Sequence, residues 1–242
     1  MLDENHEPTI DHRGRTAELR REQMRRRLIE SAILVFAEHG VSPALIGQVI
    51  TTAEVSRGTF YNYFRTNEDL SDAVCLELAG ELVAHAEMAI SVEDTPERAV
   101  ALGTTTVLAT ALRYPVLGRF LGSLALSGET LMREMSVKLG EQLALGMERG
   151  VFHRADICMI SDVILGTLRT SMLRVALGMT APLEPEIYTR EIVASLLRSL
   201  GIDAPTAAKL ALIDLPAFQL PDTCIIARAQ SRFDASHATK DA

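Results

Sequence analysis

Apolar residues recur every three or four positions along most of the chain, which is the spacing of one face of an α-helix. Leu28, Ala32, Val35 and Phe36 follow this pattern, and Gly40 stands where such a helix would end. No stretch of four or more residues alternates between apolar and polar with the β-branched character of a strand. The spacing therefore predicts an all-α protein.

Residues typical of helix starts and stops divide the pattern into separate helices. Ser42-Pro43 combines an N-cap residue with proline at the first helical position, and Gly150 and Gly201 follow predicted helix ends. We predict helices at 16–39, 44–52, 56–64, 68–90, 96–113, 115–127, 129–149, 156–178 and 186–200, with one more short helix at 207–213.

The first three predicted helices suggest a small domain of their own. A turn of a few residues joins the second to the third, which is the helix-turn-helix arrangement, here at about 44–64 within a domain of 16–66. Residues 1–15 are polar, lack apolar periodicity and are expected to form a flexible arm. Residues 67–202 predict a larger helical domain, and 203–242 a C-terminal extension that is partly helical or irregular.

Length and composition exclude several classes of protein. The chain has 242 residues, of which 48% are hydrophobic, so it can bury a core and is not wholly disordered. No stretch without Asp, Glu, Lys or Arg is longer than fifteen residues, so no membrane-spanning helix is expected. The start Met1–His6 does not resemble a secretion signal, and three widely spaced cysteines fit a reducing compartment. We therefore expect a cytoplasmic protein.

Charge is distributed unevenly along the chain. The net charge is −8, but nine arginines stand against five acidic residues between His12 and Thr66. That segment carries +4, which leaves −12 on the other residues. A basic N-terminal module on an acidic body suggests that the first part contacts an anionic partner. The alternative is a solvated, arginine-rich start of a helix.

The segment after the predicted turn carries the most specific signal in the chain. It reads VSRGTFYNYFRTNEDL from Val55 to Leu70. This resembles the TetR family of bacterial transcriptional regulators, in which V-S-[KR]-G-T-[LF]-Y-x-Y-F, followed by x-[ST]-K-E-x-L, forms the recognition helix and the start of the next helix. The resemblance covers roughly Arg25 to Val83. It implies that the helix-turn-helix domain binds a double-stranded DNA operator.

The residue types in this segment suit a helix that enters the major groove. Phe60 and Phe64 share the apolar side and are predicted to be core anchors. Arg57 could reach guanine or a phosphate, and Asn62 could read adenine. The predicted DNA-binding residues are Gln48, Ser56, Arg57, Gly58, Thr59, Tyr61, Asn62, Tyr63 and Asn67. The alternative for this segment is a surface helix with half-buried tyrosines.

Individual members of this set have different expected roles. The hydroxyls of Thr59, Tyr61 and Tyr63 can hold phosphates without reading sequence. Ser56 is the expected N-cap of the recognition helix. Gly58, which is unfavourable inside a helix, makes sense if the backbone must approach DNA closely.

Several positions depart from the family pattern. Ala44 and Leu45 stand where threonines usually contact phosphate, which leaves Gln48 as the nearest candidate. Asn67 replaces a phosphate-binding lysine. Glu54 replaces the turn glycine, which implies either a turn without a left-handed residue or local strain. These changes remove phosphate contacts that the arginines of 13–27 are candidates to replace.

The resemblance also implies roles for the larger domain. It implies a small effector, expected to be apolar, and a homodimer formed through about 156–178 and 186–200. The first of these helices is apolar on more than one side, as a dimer interface requires, although burial within one subunit is the alternative. Methionines suit adaptable pockets but are more often ordinary core, so no effector-binding residue is assigned. No metal site or cofactor is expected.

The leading functional hypothesis is a ligand-responsive, DNA-binding regulator, most simply a repressor. An enzyme is disfavoured because the sequence contains no G-x-S-x-G, G-x-G-x-x-G, P-loop or H-E-x-x-H motif. The remaining alternative is a helical protein that binds DNA or another protein structurally, without an effector. Its body would have a filled core and no apolar cavity.

Overall fold

Helices joined by turns and loops make up the residues that the computed structural model describes, which are 12–40, 42–91, 94–123, 129–212 and 219–238. This part of the chain contains no strand, so the prediction of an all-α protein is confirmed. The α-helices are α1 (His12–His39), α2 (Ile46–Thr52), α3 (Arg57–Tyr61), α4 (Asn67–Ala89), α5 (Pro96–Arg113), α6 (Pro115–Ser123), α7 (Glu129–Glu148), α8 (Ile157–Ala176), α9 (Pro185–Ser199), α10 (Ala204–Ala211) and α11 (Ile225–Ala238), with a 3-10 turn at Pro43–Leu45 before α2.

The first helix begins earlier than predicted. The expected flexible arm included residues 12–15, but α1 already begins at His12, and residues 1–11 lie outside the described part of the chain. Gly14 does not interrupt α1, because a single glycine lowers helix stability by only about 1 kcal/mol. The long run of helix-forming residues that follows outweighs this cost.

The third helix is shorter than predicted. The expected helix 56–64 is regular only over α3, and Asn62 is its C-cap. Phe64 lies beyond the helix, where its backbone N–H still donates to the Phe60 carbonyl. The chain must turn here because α4 begins only a few residues later with a capping box between Thr66 and Asp69.

The C-terminal extension is more regular than predicted. Its first helix, α10, begins before the predicted 207–213 because Asp203 caps it by accepting the Thr206 N–H. The part beyond residue 219 contains the fourteen-residue helix α11, which the sequence did not predict. Ile225, Ala229 and Phe233 recur on one buried face of α11, but polar residues between them obscure this pattern.

The helices build one continuous core. In the N-terminal part, α1 packs on α2 and on α4, and then continues onto α6 of the larger domain. There, α4, α5, α7 and α8 pack around one another, and α9 and α10 lie beside α5. Helix α11 contacts α1, α4 and α6. The last helix therefore lies where the two predicted domains meet.

None of the described helices is by itself long and apolar enough to cross a membrane. Pro96–Arg113 and Pro115–Gly122 meet that criterion only when they are taken together, across a bend of 104°.

Candidate nucleic-acid interface

Two serine caps build the helix-turn-helix. The Ser42 hydroxyl accepts the Ala44 N–H at the 3-10 turn before α2. The Ser56 hydroxyl accepts the Thr59 N–H at 3.0 Å, and its oxygen lies 2.8 Å from the Thr59 hydroxyl. Ser56 is thereby confirmed as the N-cap of α3, whereas Ser42 caps the 3-10 turn and α2 itself begins at Ile46, later than the predicted 44–52, without a side-chain cap.

The predicted contact residues surround two buried aromatic rings. Phe60 and Phe64 are buried, with ring centroids 6.0 Å apart, so their predicted role in the core is confirmed. Gln48, Ser56, Arg57, Gly58, Tyr61 and Asn62 are exposed, and Thr59, Tyr63 and Asn67 are half-buried. All of the predicted DNA-binding residues are therefore at least partly accessible from outside the protein.

Gly58 has no structural reason within the described protein to be glycine. A Cβ atom at this position would meet only the Ser56 hydroxyl oxygen, at 3.8 Å, which is an ordinary contact. Because glycine weakens a helix, Gly58 lowers the stability of α3 without relieving a clash in the described protein.

The turn before α3 is strained. Glu54 has φ +52°, a left-handed conformation that glycine adopts freely and other residues rarely adopt. Of the two alternatives that the sequence left open for this turn, local strain is therefore the correct one. The Glu54 carboxylate forms a 2.6 Å ion pair with Arg27, which ties the strained turn to α1.

The arginines of α1 fall into two groups. Arg25 pairs with Glu77 of α4 at 2.6 Å and ties α1 to that helix, whereas Arg27 pairs with Glu54 and ties α1 to the turn before α3. Arg20 and Arg21, nearer the start of α1, are exposed. Arg65, directly after the predicted contact residues, is also exposed.

A cavity of about 710 Å³ lies in the larger domain, between α4, α5, α7 and α8. The described residues of its wall are largely aliphatic and include no aromatic side chain, with Leu82, Met135 and Ile164 among them. The buried Thr104 hydroxyl already donates to backbone carbonyls of its own helix. Every other polar lining residue is exposed or half-buried, so polarity is concentrated at the mouth.

A salt bridge joins two helices at that mouth. Lys138 of α7 lies 2.9 Å from the Glu87 carboxylate of α4, and the hydrogen bond to Glu87 raises the pKa of Lys138.

Met135 is the one methionine among the described residues that line the cavity. Of the other methionines, Met88 and Met159 are exposed. The sequence could not reveal this cavity because its wall comes from four separate helices.

A separate apolar surface lies on α8 and α9. Met159, Val163 and Leu177 follow one exposed face along α8, and Ile187 is exposed at the start of α9. These residues lie within the two segments predicted to form a dimer.

Comparison with known proteins agrees with this architecture. The chain matches the family "Bacterial regulatory proteins, tetR family" over residues 28–74, which span the end of α1 through the first turns of α4. Among curated proteins, none matches this chain significantly in sequence.

Several solved structures share the fold over most of the chain. RolR in complex with resorcinol is 27% identical, with a TM-score of 0.64 over 84% of this chain and 100% of its own. FadR from Bacillus halodurans, a fatty acid degradation regulator, is 21% identical, with a TM-score of 0.61 over 71% and 96% of the two chains. FadR from Bacillus subtilis in complex with stearoyl-CoA is 18% identical, with a TM-score of 0.60 over 72% and 97%. The family match over residues 28–74, together with the fold shared with RolR over most of the chain, supports the predicted resemblance to the TetR family of bacterial transcriptional regulators.

Proposed function

We propose that the protein is a ligand-responsive repressor that binds a pseudo-palindromic operator as a dimer and is released by a small apolar effector. The observation that carries this proposal is the exposed surface of α3, which is built on two buried phenylalanines and joined through α4 to an aliphatic cavity. The family supplies the class of DNA-binding regulator. The operator, the effector and the repression of transcription are what we propose beyond that class.

On the DNA side, the roles divide by chemistry. Arg57 and Asn62 carry the groups that pair with base edges in the major groove. Tyr61 and Tyr63 carry hydroxyls suited to phosphate oxygens, while Gly58 lets the backbone come close. The exposed arginines of α1 add charge, so we expect the logarithm of affinity to fall with the logarithm of salt by about 0.9 for each phosphate neutralised.

On the effector side, the cavity supports a small molecule with an apolar body. Burial of apolar ligand surface against its aliphatic wall is favourable, and the described lining residues include no buried charged group that would have to be satisfied. The polar residues at the mouth fit a polar end near Lys138. Related structures hold resorcinol or stearoyl-CoA, which supports a small-molecule effector without identifying it.

The apolar faces of α8 and α9 support a dimer. A two-fold axis through this surface would bury Met159, Val163 and Leu177 against their equivalents. Two recognition helices related by that axis would read half-sites about one helical turn or a near multiple apart.

Helix α4 supports a mechanism by population shift. It begins at Asn67, beside the recognition segment, and ends at Ala89, beside the cavity. An effector that prefers an arrangement with wrongly spaced recognition helices would weaken operator binding by its difference in affinity for the two states.

The rival proposal of a structural protein without an effector would require a filled core. The cavity between α4, α5, α7 and α8 favours a ligand-responsive protein instead.

Selection of genomic DNA fragments by the purified protein tests the DNA-binding part. The wild type should enrich a palindrome, and Arg57→Ala/Tyr63→Ala should lose that enrichment. Arg113→Ala/Arg154→Ala removes exposed arginines outside the helix-turn-helix and should keep it. No enrichment by the wild type at low salt would refute the proposal, as would equal enrichment by the Arg57/Tyr63 variant.

A further inference from the structure

Helix α11 contacts both parts of the molecule at once. Its buried face, which includes Ile226 and Phe233, packs among α1, α4 and α6. It therefore forms a further connection between the helix-turn-helix and the body, in addition to α4 and to the packing of α1 on α6.

Toward the helix-turn-helix, two arginines of α11 meet a buried carboxylate. Glu30 of α1 is only 3% exposed, and its two oxygens lie 2.9 Å from Arg228 and 3.6 Å from Arg232. A carboxylate removed from water needs such partners, because an unpaired buried charge is strongly unfavourable. The charge on Glu30 thus fixes α1 to α11.

Arg232 also reaches the helix that precedes the recognition turn. It donates to the Thr52 carbonyl at 3.1 Å and to the Ser31 hydroxyl at 3.3 Å. Thr52 is the last residue of α2, and the final carbonyls of a helix are left without partners inside the helix. One guanidinium therefore joins the end of α2 to α1.

Toward the body, α11 is anchored at its start. The Glu81 carboxylate of α4 accepts the N–H groups of Ile225 at 2.6 Å and of Ile226 at 3.1 Å. The next two residues of α4, Leu82 and Val83, line the cavity. The anchor of α11 is thus adjacent in sequence to the cavity wall.

Two further hydrogen bonds hold α11 and the segment before it on the body. The Gln230 side chain accepts the Val116 N–H at 2.9 Å, and the Tyr114 hydroxyl accepts the Leu220 N–H at 2.9 Å.

We propose that Arg228 and Arg232 are positioning residues for DNA binding. Anchored on the body, α11 uses them to hold α1 and the end of α2, and so fixes the orientation in which α3 is presented. This inference rests on the proposed DNA-binding function, but the positioning itself is a property of the protein without DNA. Because both arginine side chains are about a third exposed or more, their ion pairs contribute more to geometry than to global stability.

The test must separate positioning from folding. Arg228→Ala/Arg232→Ala leaves Glu30 buried without a partner and can unfold the domain for that reason alone. Glu30→Leu/Arg228→Ala/Arg232→Ala removes the charge together with its partners and keeps an apolar side chain at the buried position. Arg113→Ala/Arg154→Ala is the control for loss of two exposed positive charges.

The first measurement is amide hydrogen exchange of the free protein. In the triple variant, amides of α2 and α3 should exchange about tenfold faster, whereas those of α8 and α9 should be unchanged and the thermal midpoint should stay near that of the wild type. Unchanged exchange in α2 and α3 would overturn the proposal, and so would equal acceleration throughout the molecule. This measurement needs neither the operator nor the effector.

The second measurement uses the genomic palindrome recovered by the wild type, with its half-sites moved apart one base pair at a time. The triple variant should bind the best spacing about tenfold more weakly and discriminate less among spacings, with an unchanged salt dependence. A wild-type spacing preference in the triple variant would overturn the proposal. A smaller salt slope would also overturn it, because the arginines would then be phosphate contacts. If the wild type selects no DNA, the proposed function fails, and hydrogen exchange alone decides the positioning.

Discussion

At the residue scale, Gly58 separates the requirements of folding from those of DNA binding. Nothing in the described structure prevents a Cβ at this position, so Gly58→Ala should stabilise the protein by up to about 1 kcal/mol through helix propensity. The same methyl group would stand on the exposed face of α3 and should weaken operator binding at least about tenfold, a loss of about 1.4 kcal/mol.

Thermal unfolding and a binding titration against the selected palindrome measure the two effects. Gly80→Ala is the matched control, because Gly80 is an exposed helical glycine in α4 where an added Cβ would meet no other atom within 4 Å. It should raise stability and leave DNA affinity unchanged. Undiminished DNA affinity in Gly58→Ala would show that the backbone at Gly58 does not approach DNA.

His85, also at the residue scale, makes the stability of the folded protein depend on pH. Burial lowers the pKa of His85 below its ordinary value of 6.5, so the folded state favours the neutral ring. The unfolded chain takes up a proton near pH 6.5, and the folded chain does so only at lower pH. The resulting stabilisation is complete above pH 6.5 and is lost as the pH falls below it.

His85→Leu should remove this contribution. Its free energy of unfolding should fall less than that of the wild type between about pH 7.5 and about pH 5.5, as measured by urea denaturation. His39→Gln, at an exposed histidine, is the control and should keep the wild-type difference. If the His85→Leu variant loses as much stability as the wild type over this pH range, His85 does not cause the pH dependence.

At the element scale, the crossing of α6 and α8 depends on the absence of a side chain. A Cβ at Gly118 would lie 2.4 Å from the Met172 carbonyl oxygen and 2.7 Å from the Ala176 Cβ. Because backbone cannot move aside cheaply, Gly118→Ala should destabilise the protein by about 1–3 kcal/mol despite the better helix propensity of alanine. Chemical denaturation measures this loss, and Gly80→Ala should change stability in the opposite direction.

The elements also show which parts of the fold are predictable from sequence. Helix α5 has the predicted bounds, because Pro96 and the Arg113-Tyr114 boundary are local signals. Helix α11 was missed because its stability comes from contacts with α1, α4 and α6 rather than from its own sequence pattern. The length of α3 was overestimated because α4 begins so soon after it.

The candidate site likewise contains features that the sequence predicted and features that it did not. Ser56, Phe60 and Phe64 were predicted from spacing, since each role depends on neighbours within a few residues. The partners of Glu30 lie far along the chain on α11, and the cavity combines four helices. The sequence offered one signal for Glu30, which is an acidic residue between the apolar positions Leu28 and Ile33.

At the scale of the whole molecule, the apolar face of α8 should determine the oligomeric state. Val163→Asp/Leu177→Asp places two charges on a surface that is exposed in one subunit, so each subunit should remain folded while the dimer dissociates. Sedimentation equilibrium should show a dimer for the wild type and a monomer for the variant. Leu76→Asp/Met88→Asp, at exposed apolar residues of α4, should remain dimeric. A monomeric wild type at micromolar concentration would refute the proposed dimer.

At the scale of the whole molecule, the cavity is also the proposed site of control, and Gly103 is a position from which a side chain can enter it. Gly103 lines the cavity, and a Cβ there would meet only the Ile90 side chain, at 3.9 Å. Gly103→Leu should therefore stabilise the ligand-free protein by about 1 kcal/mol or more, because leucine favours the helix and buries apolar surface. The same side chain should occupy the space of an effector.

A thermal-shift screen with apolar compounds tests this prediction. A compound that binds the wild type raises its midpoint according to RT ln(1 + [L]/Kd), and Gly103→Leu should abolish that rise. Gly80→Leu, on the exposed side of α4, should retain it. A compound that stabilises wild type and Gly103→Leu equally binds elsewhere, and the cavity between α4, α5, α7 and α8 would then not be its site.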